Sequence, residues 1–395
     1  MSKAQLHNKG HKMKSKLLIS AVLASAVATG ANANVELFGH LGVVYNQEFG
    51  DYMHFNKDGV NYGGFTGHLG IDIGSNSVGF GVGGWGGSQI WATDNYAKHN
   101  VYGDKYIDLS DLYFRYNGSF DFYAGRFDGS FMRSDWLNSY IQGVGFSYNL
   151  GKSNIWVTWA NDYTTFGVLP GRIASELTAY TRFPSSFNNF DIGSRDIIAG
   201  GANLDFGIAQ IDPFVHYFLD SYSQSNVLQA GTRAALVLGG SGVKSITSGK
   251  FMWQNGWNGN TMFVQLEEEL RFQDIFKLGG GWYMVGDNAG IKTISDNTRF
   301  YGRYLMPSHA GHFGAGTSTW YAFGGVEHER VKLDVLYAGG DYSEFSAVAS
   351  VRVFDLGLGF MREGLALDVG GGYVNNGFGG NLQYHNAIAF AKLVF

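Results

Sequence analysis

The sequence predicts an all-β chain: a transmembrane antiparallel β-barrel of about 18 strands, with 16 as the alternative, tight turns at one end and long loops at the other. Three observations predict it. Apolar and small or polar side chains alternate in short runs from Val35 to Phe395, the period-two pattern of strands. The connections between runs fall into two length classes, and short alternates with long. Third, the chain holds 59 Gly and 16% aromatic residues, yet its mean hydropathy is near zero. After the N-terminal segment no stretch approaches the 18 or more consecutive apolar residues of a spanning helix. Apolar residues dispersed in alternation cross a membrane as strands, not as helices.

Taken from the start, residues 1–33 read as a cleaved signal peptide. Lys9, Lys12, Lys14 and Lys16 precede the apolar run Leu17–Val27, and Ala31-Asn32-Ala33 fits the small-residue cleavage rule. The remainder, 34–395, reads as a single barrel domain. There is no Cys in the sequence, so disulfides and thiolate metal sites are excluded. Five of the 28 basic residues lie before Asn34; the other 23 face 33 acidic ones, a net of −10. That balance gives nucleic-acid binding no support.

The runs then follow in order. Val35, Leu37, Leu41 and Val43 share a face; Phe65, Leu69, Ile71 and Ile73 do the same, opposite His68 and Asp72. Ile155, Val157 and Trp159 alternate with Trp156, Thr158 and Ala160, and Val331, Leu333, Val335 and Tyr337 with Lys332 and Asp334. Tight turns are expected at Ser75–Ser77, Asn117–Ser119, Gly151-Lys152, Phe206–Ile208, Gly239–Gly242, Gln273-Asp274, His328–Arg330 and Arg362–Gly364. Longer connections are expected at Asn46–Tyr62, Gly87–Asp104, Asp128–Tyr140, Tyr163–Arg195, Asp220–Asn226, Gly256–Asn260, Gly286–Gly316, Gly340–Glu344 and Asn375–Asn381. Tight periplasmic turns and longer outer loops are the asymmetry of outer-membrane barrels. Eight turns, with both termini on the periplasmic side, give 18 strands. Thr298–Leu305 is the place where a further hairpin would raise that count. Pro213 falls inside a strand, where it needs a bulge or an early position. Glu268 lands on the apolar face with Leu266 and Leu270, as at a membrane interface or a subunit contact. A phase change near Val353–Asp355 implies a bulge.

The chain ends Ala389-Phe390-Ala391-Lys392-Leu393-Val394-Phe395. A terminal Phe395 with Leu393, Ala391 and Ala389 before it resembles the assembly signal of Gram-negative outer-membrane barrels. Phe395 and Leu393 would engage the barrel assembly machinery. Gly118–Phe127, which contains Gly125-Arg126, resembles the turn and strand that precede the inward-folded loop of trimeric general porins, and Val35–Gly39 resembles a porin first strand. An 18-strand count points instead to substrate-specific porins or to related barrels of epsilon-class bacteria. The resemblance implies a chain in outer-membrane lipid, as homotrimer or monomer, that passes small hydrophilic solutes or ions. It places Arg126 on the wall at the neck and Asp128, Arg133 and Asp135 on an inward loop. Acids on the loop facing bases on the wall would sort solutes by charge and dipole.

Arg115 shares a face with Asp111 and Tyr113 and is a second wall candidate; alternation also puts Arg233, Arg271 and Arg352 in the lumen. Each of these charges could equally form a lumenal ion pair that stiffens the wall. Aromatics near strand ends, such as Tyr45, Tyr148, Trp159, Trp320 and Tyr337, read as the membrane-interface girdle. No cofactor is expected. His309 and His312 lie in a Gly-rich loop and form no metal constellation, and no spacing suggests a hydrolytic site. The alternative to a passive pore is an adhesin or host-contact barrel that acts through Tyr163–Arg195 and Gly286–Gly316.

Overall fold

A computed structural model describes residues 34–49, 60–92, 107–137, 140–163, 196–219, 226–256, 259–292, 299–301, 313–379 and 384–395. The expected signal peptide and the loop Tyr163–Arg195, from 164 on, lie outside the described residues.

Among the described residues eighteen strands follow one another. They are β1 (Asn34–Phe49), β2 (Val60–Gly74), β3 (Val78–Ala92), β4 (Ile107–Asn117), β5 (Phe120–Asp128) and β6 (Tyr140–Leu150). Next come β7 (Ser153–Tyr163), β8 (Asp196–Asp205), β9 (Ala209–Leu219), β10 (Val227–Gly239), β11 (Val243–Asn255) and β12 (Thr261–Phe272). The last six are β13 (Phe276–Val285), β14 (Ser318–His328), β15 (Val331–Gly340), β16 (Tyr342–Leu356), β17 (Leu365–Phe378) and β18 (Tyr384–Val394). Each pairs antiparallel with its sequence neighbours, and β1 pairs with β18 from His40–Val394 to Phe49–His385, so the sheet closes on itself. Closure leaves no free sheet edge along the paired seam.

Alternation decides which face sees lipid. In β7, Ile155, Val157 and Trp159 are 50, 50 and 43% exposed, whereas Trp156, Thr158 and Ala160 are 3, 2 and 0% exposed. The apolar side chains are thus outside, and the polar ones share the interior with aromatics. The rim aromatics Tyr45, Tyr148, Trp159, Trp320 and Tyr337 are all exposed on the outer face, as a girdle requires.

The tight turns are where the sequence puts them, with one exception. Gly151 (φ 69), Gln273 (φ 53) and Asp274 (φ 56) take the left-handed conformation that short hairpins demand. The eighth turn is longer than Arg362–Gly364: Leu356 pairs with Leu365, so residues 357–364 all belong to it. Conversely, the eighth outer connection shrinks from Gly340–Glu344 to Asp341 alone, because Gly340 still pairs with Thr319 of β14 and Tyr342 with Phe378 of β17. Residues 299–301 are not strand, and the count is 18.

The expected irregularities also resolve. The β16–β17 register shifts between Arg352 and Phe354. Pro213 needs no bulge: the β8–β9 ladder lapses between Gly201–Phe214 and Leu204–Ile211 and resumes in the same register, as the missing N–H of proline dictates. Glu268 does face outward. Its two carboxylate oxygens accept from Ser245 Oγ and Thr247 Oγ1, each at 2.5 Å, which satisfies the charge from within the outer face.

Candidate functional site

The lumen is not empty. Two outer loops fold into it, and their geometry follows from local sequence. The third outer loop begins where Asp128 Oδ1 accepts from Ser130 N at 2.9 Å and caps the 3-10 turn Gly129–Met132. Arg133 ends that turn in the left-handed conformation (φ 55), and its N–H donates to the Ser130 carbonyl. The chain then crosses the interior. Met132, Trp136 and Leu137 are buried, Asn203 Nδ2 donates to the Met132 carbonyl at 3.0 Å, and the Trp136 ring meets Phe263 and Phe313 at 5.4 and 5.7 Å.

Gly125 supplies the bend at the root of this loop. Its φ is +119, and a Cβ there would meet the Leu112 carbonyl oxygen at 2.0 Å, so only glycine fits. Leu112–Arg126 is the last β4–β5 pair, and beyond it β5 is bonded to β6 alone.

The seventh outer loop is the second insertion, and sequence reasoning missed it. Gln254 donates to the Gly290 carbonyl (3.0 Å) and accepts from Lys292 N (2.8 Å), while Gln229 donates to the Lys292 carbonyl (2.6 Å). Farther along, Arg299 Nη2 binds Glu267 at 2.7 Å and also Glu269, and its guanidinium lies 3.7 Å from the Phe323 ring centroid. Burial works against that charge, but the two carboxylates outweigh it and hold the guanidinium above its ordinary range. Phe300 packs edge-on against Tyr283, Tyr321 and Tyr342. The contact of Trp136 with Phe313 joins the two inserted loops across the interior.

The residues singled out from sequence distribute unevenly. Asp135, on the third loop, reaches the wall at β10 and β11: Lys250 Nζ is 2.8 Å and Arg233 Nε 3.7 Å from its Oδ2. Arg233 also pairs with Asp212 at 3.1 Å. The Arg133 side chain is exposed at the loop surface. Arg133, Asp135, Trp136, Trp156, Asp212 and Arg233 line a pocket with about 280 Å³ of empty space, including solvent at its mouth. Asp128 spends a carboxylate oxygen on its cap.

Arg126 departs from expectation. The register pairs it with Leu112 and Gln142, on the face that carries the exposed Phe114 and Val144. The buried Phe127 takes the lumenal position, and alternation forces Arg126 to the other face. Its Nε donates to Gln142 at 2.7 Å and its Nη1 to the Leu109 carbonyl at 2.9 Å, so it bridges the split between β4 and β5.

Arg115 is lumenal and committed. Its Nε and Nη2 grip the two oxygens of Asp72 at 2.8 and 2.7 Å, and Tyr113 Oη donates to the same carboxylate. Arg271 binds Glu269 and lies 3.5 Å from Glu327, and Arg352 binds Asp368 at 2.9 Å. Lys277 pairs with Glu327 and Asp334. The lining is therefore a chain of opposite charges at close range, polar but mutually compensated. The same alternation that placed Arg271 would have placed Glu267, Glu269, Lys250 and Lys277 in the lumen. Nothing periodic marks Arg299 or Phe313.

Among the described residues no three His, Asp or Glu side chains gather to hold a metal ion; His309 and His312 lie outside them. Phe395 is buried and exchanges both backbone hydrogen bonds with Gly39, at 2.8 and 3.0 Å, and Leu393 pairs with Leu41.

No family model and no curated protein matches the sequence. Solved structures do share the fold. Pseudomonas aeruginosa OccD3 (OpdP) has 11% identity and a TM-score of 0.62, over 93% of each chain. Acinetobacter baumannii OccAB4 has 9% identity and a TM-score of 0.64, over 92% of this chain and 98% of its own. Pseudomonas aeruginosa OpdK, solved with vanillate, has 10% identity and a TM-score of 0.61, over 91% and 98%. The chain has the closed-barrel fold of these Gram-negative outer-membrane porins.

Proposed function

We propose that the protein is a passive channel for small hydrophilic solutes across the bacterial outer membrane, narrowed by its third and seventh outer loops. The observation that carries this reading is the lumen itself. A wall of paired charges surrounds two inward loops that meet at Trp136 and Phe313. A pore of this kind needs no reacting group. It needs a path of water, a narrow place and a field across it.

Asp135 opposite Lys250 and Arg233 is the strongest candidate for that field. Anion and cations stand in contact on one side of the path, beside the exposed Arg133, so a solute meets a local dipole as well as a net charge there. Arg133 adds an exposed cation beside it. Arg115, Arg271 and Arg352 act on the wall through their partners. Because most lumenal charges are compensated, the channel admits neutral and zwitterionic solutes more readily than strongly charged ones. OpdK holds vanillate, which makes small aromatic carboxylates a useful comparison in transport assays. The adhesive alternative rests on Tyr163–Arg195 and Gly286–Gly316, and no observation favours it.

Refolded protein in a planar bilayer tests the reading. Discrete conductance steps are expected, with a small reversal potential in a salt gradient. Folded protein that inserts and never conducts would overturn it.

A further inference from the structure

One stretch of the barrel seam is closed by neither terminal strand. Residues Asn34–Phe38 of β1 pair with β2 on one side, but β18 is already spent: Val394 pairs with His40, and Phe395 reaches only Gly39. The lower edge of β1 would then present bare N–H and C=O groups, the template on which foreign strands add.

The eighth turn occupies that edge. Leu37 N donates to the Phe360 carbonyl and Arg362 N donates to the Leu37 carbonyl, both at 2.8 Å. Leu37 and Met361 form a parallel bridge, the one pairing in this barrel that is not antiparallel among the described residues. The Arg362 side chain then passes inside. Its guanidinium lies 4.2 Å from the Phe38 ring centroid and donates to Tyr113 Oη at 3.3 Å and Asp72 Oδ2 at 3.4 Å; Glu36 is 3.8 Å away. The length of the turn fits this role. Two or three residues join the strands at the other seven turns, whereas eight lie between Leu356 and Leu365.

We propose that residues 357–364 form a strap that continues the barrel seam below the Phe395–Gly39 pair, with Arg362 as the pin that fixes it to β1, β2 and β4. The strap shields an edge that would otherwise recruit another strand. It also places a cation in the periplasmic mouth of the lumen from a segment outside the strand ladder.

The test is hydrogen exchange at the Leu37 amide, measured on folded protein in detergent. Two variants are compared with the parent: Arg362→Ala, and a chain in which residues 357–364 are replaced by Asn-Gly, which still joins β16 to β17 in a tight hairpin. Both are scored for folding by the shift in gel mobility between unheated and heated samples. Exchange at Leu37 should rise tenfold or more in the shortened chain and severalfold in Arg362→Ala, while Leu69 and Ile71 keep their protection. Arg362→Lys should restore part of the loss. A shortened chain that cannot fold would itself support a need for the strap, provided that Arg362→Ala folds and loosens Leu37. Parent-like protection of Leu37 in either folded variant overturns the proposal.

Discussion

Single residues in the lumen are held by opposite charges, so their removal is felt in two different ways. Arg115 is largely buried and grips a carboxylate whose side chain is 1% exposed. Arg115→Ala leaves Asp72 with the Tyr113 hydroxyl and the longer contact of Arg362, and a buried charge that loses its bidentate partner is costly. The expected outcome is a loss of about 3 kcal/mol, seen as an earlier urea midpoint with little change in conductance once folded. Asp135 is the contrasting case. It stands on the inserted loop against Lys250 and Arg233, so Asp135→Asn removes the anion that faces Lys250 and leaves Arg233 to Asp212. The reversal potential in a salt gradient should then move toward anion preference, and an unchanged potential would remove Asp135 from the selecting field. Neither ranking follows from residue type, since Arg115 and Arg126 are both arginines near one strand pair. One side chain points inward to a buried acid, and the other bridges a gap from the outer face.

At the scale of elements, two outer loops pack inside the barrel, and the proposed channel is narrowed by them. Among the described residues Trp136 is the link: it packs on Phe263 from the wall and on Phe313 from the seventh loop. Trp136→Ala removes the shared anchor, at a local cost of about 3 kcal/mol. Because the strand ladder is untouched, the barrel should still form. The expected change is a larger and noisier unitary conductance, read in the same bilayer assay; an unaltered conductance would mean that the narrow place lies elsewhere. The third loop was legible before the fold, because Gly118–Phe127 with its Gly125-Arg126 resembles a known arrangement; the structure adds the steric reason for Gly125. The seventh was not. Its anchors use backbone groups of Gly290 and Lys292, bound by wall glutamines, and backbone hydrogen bonding leaves no mark on residue type.

For the whole molecule, period-two alternation determined the class, the closed sheet and the assignment of faces. Every ladder must satisfy its own backbone in lipid, so strand content, parity and the short-long rhythm of connections are all written locally. The count of 18, the bulge near Val353 and the girdle aromatics follow from the same local rule. The sequence by itself also assigned Arg115, Arg233, Arg271 and Arg352 to the lumen, because parity carries across a paired register. Only the tertiary structure decided which of those charges meet, that Asp135 crosses the interior to Lys250, that Arg126 lies outside the lumen, and that the eighth turn docks on β1. The physical reason is distance along the chain. Alternation is a property of neighbours, whereas a salt bridge between residues 135 and 250, or a strap between 37 and 361, depends on how far each strand is staggered when the sheet closes, and no local pattern encodes that sum.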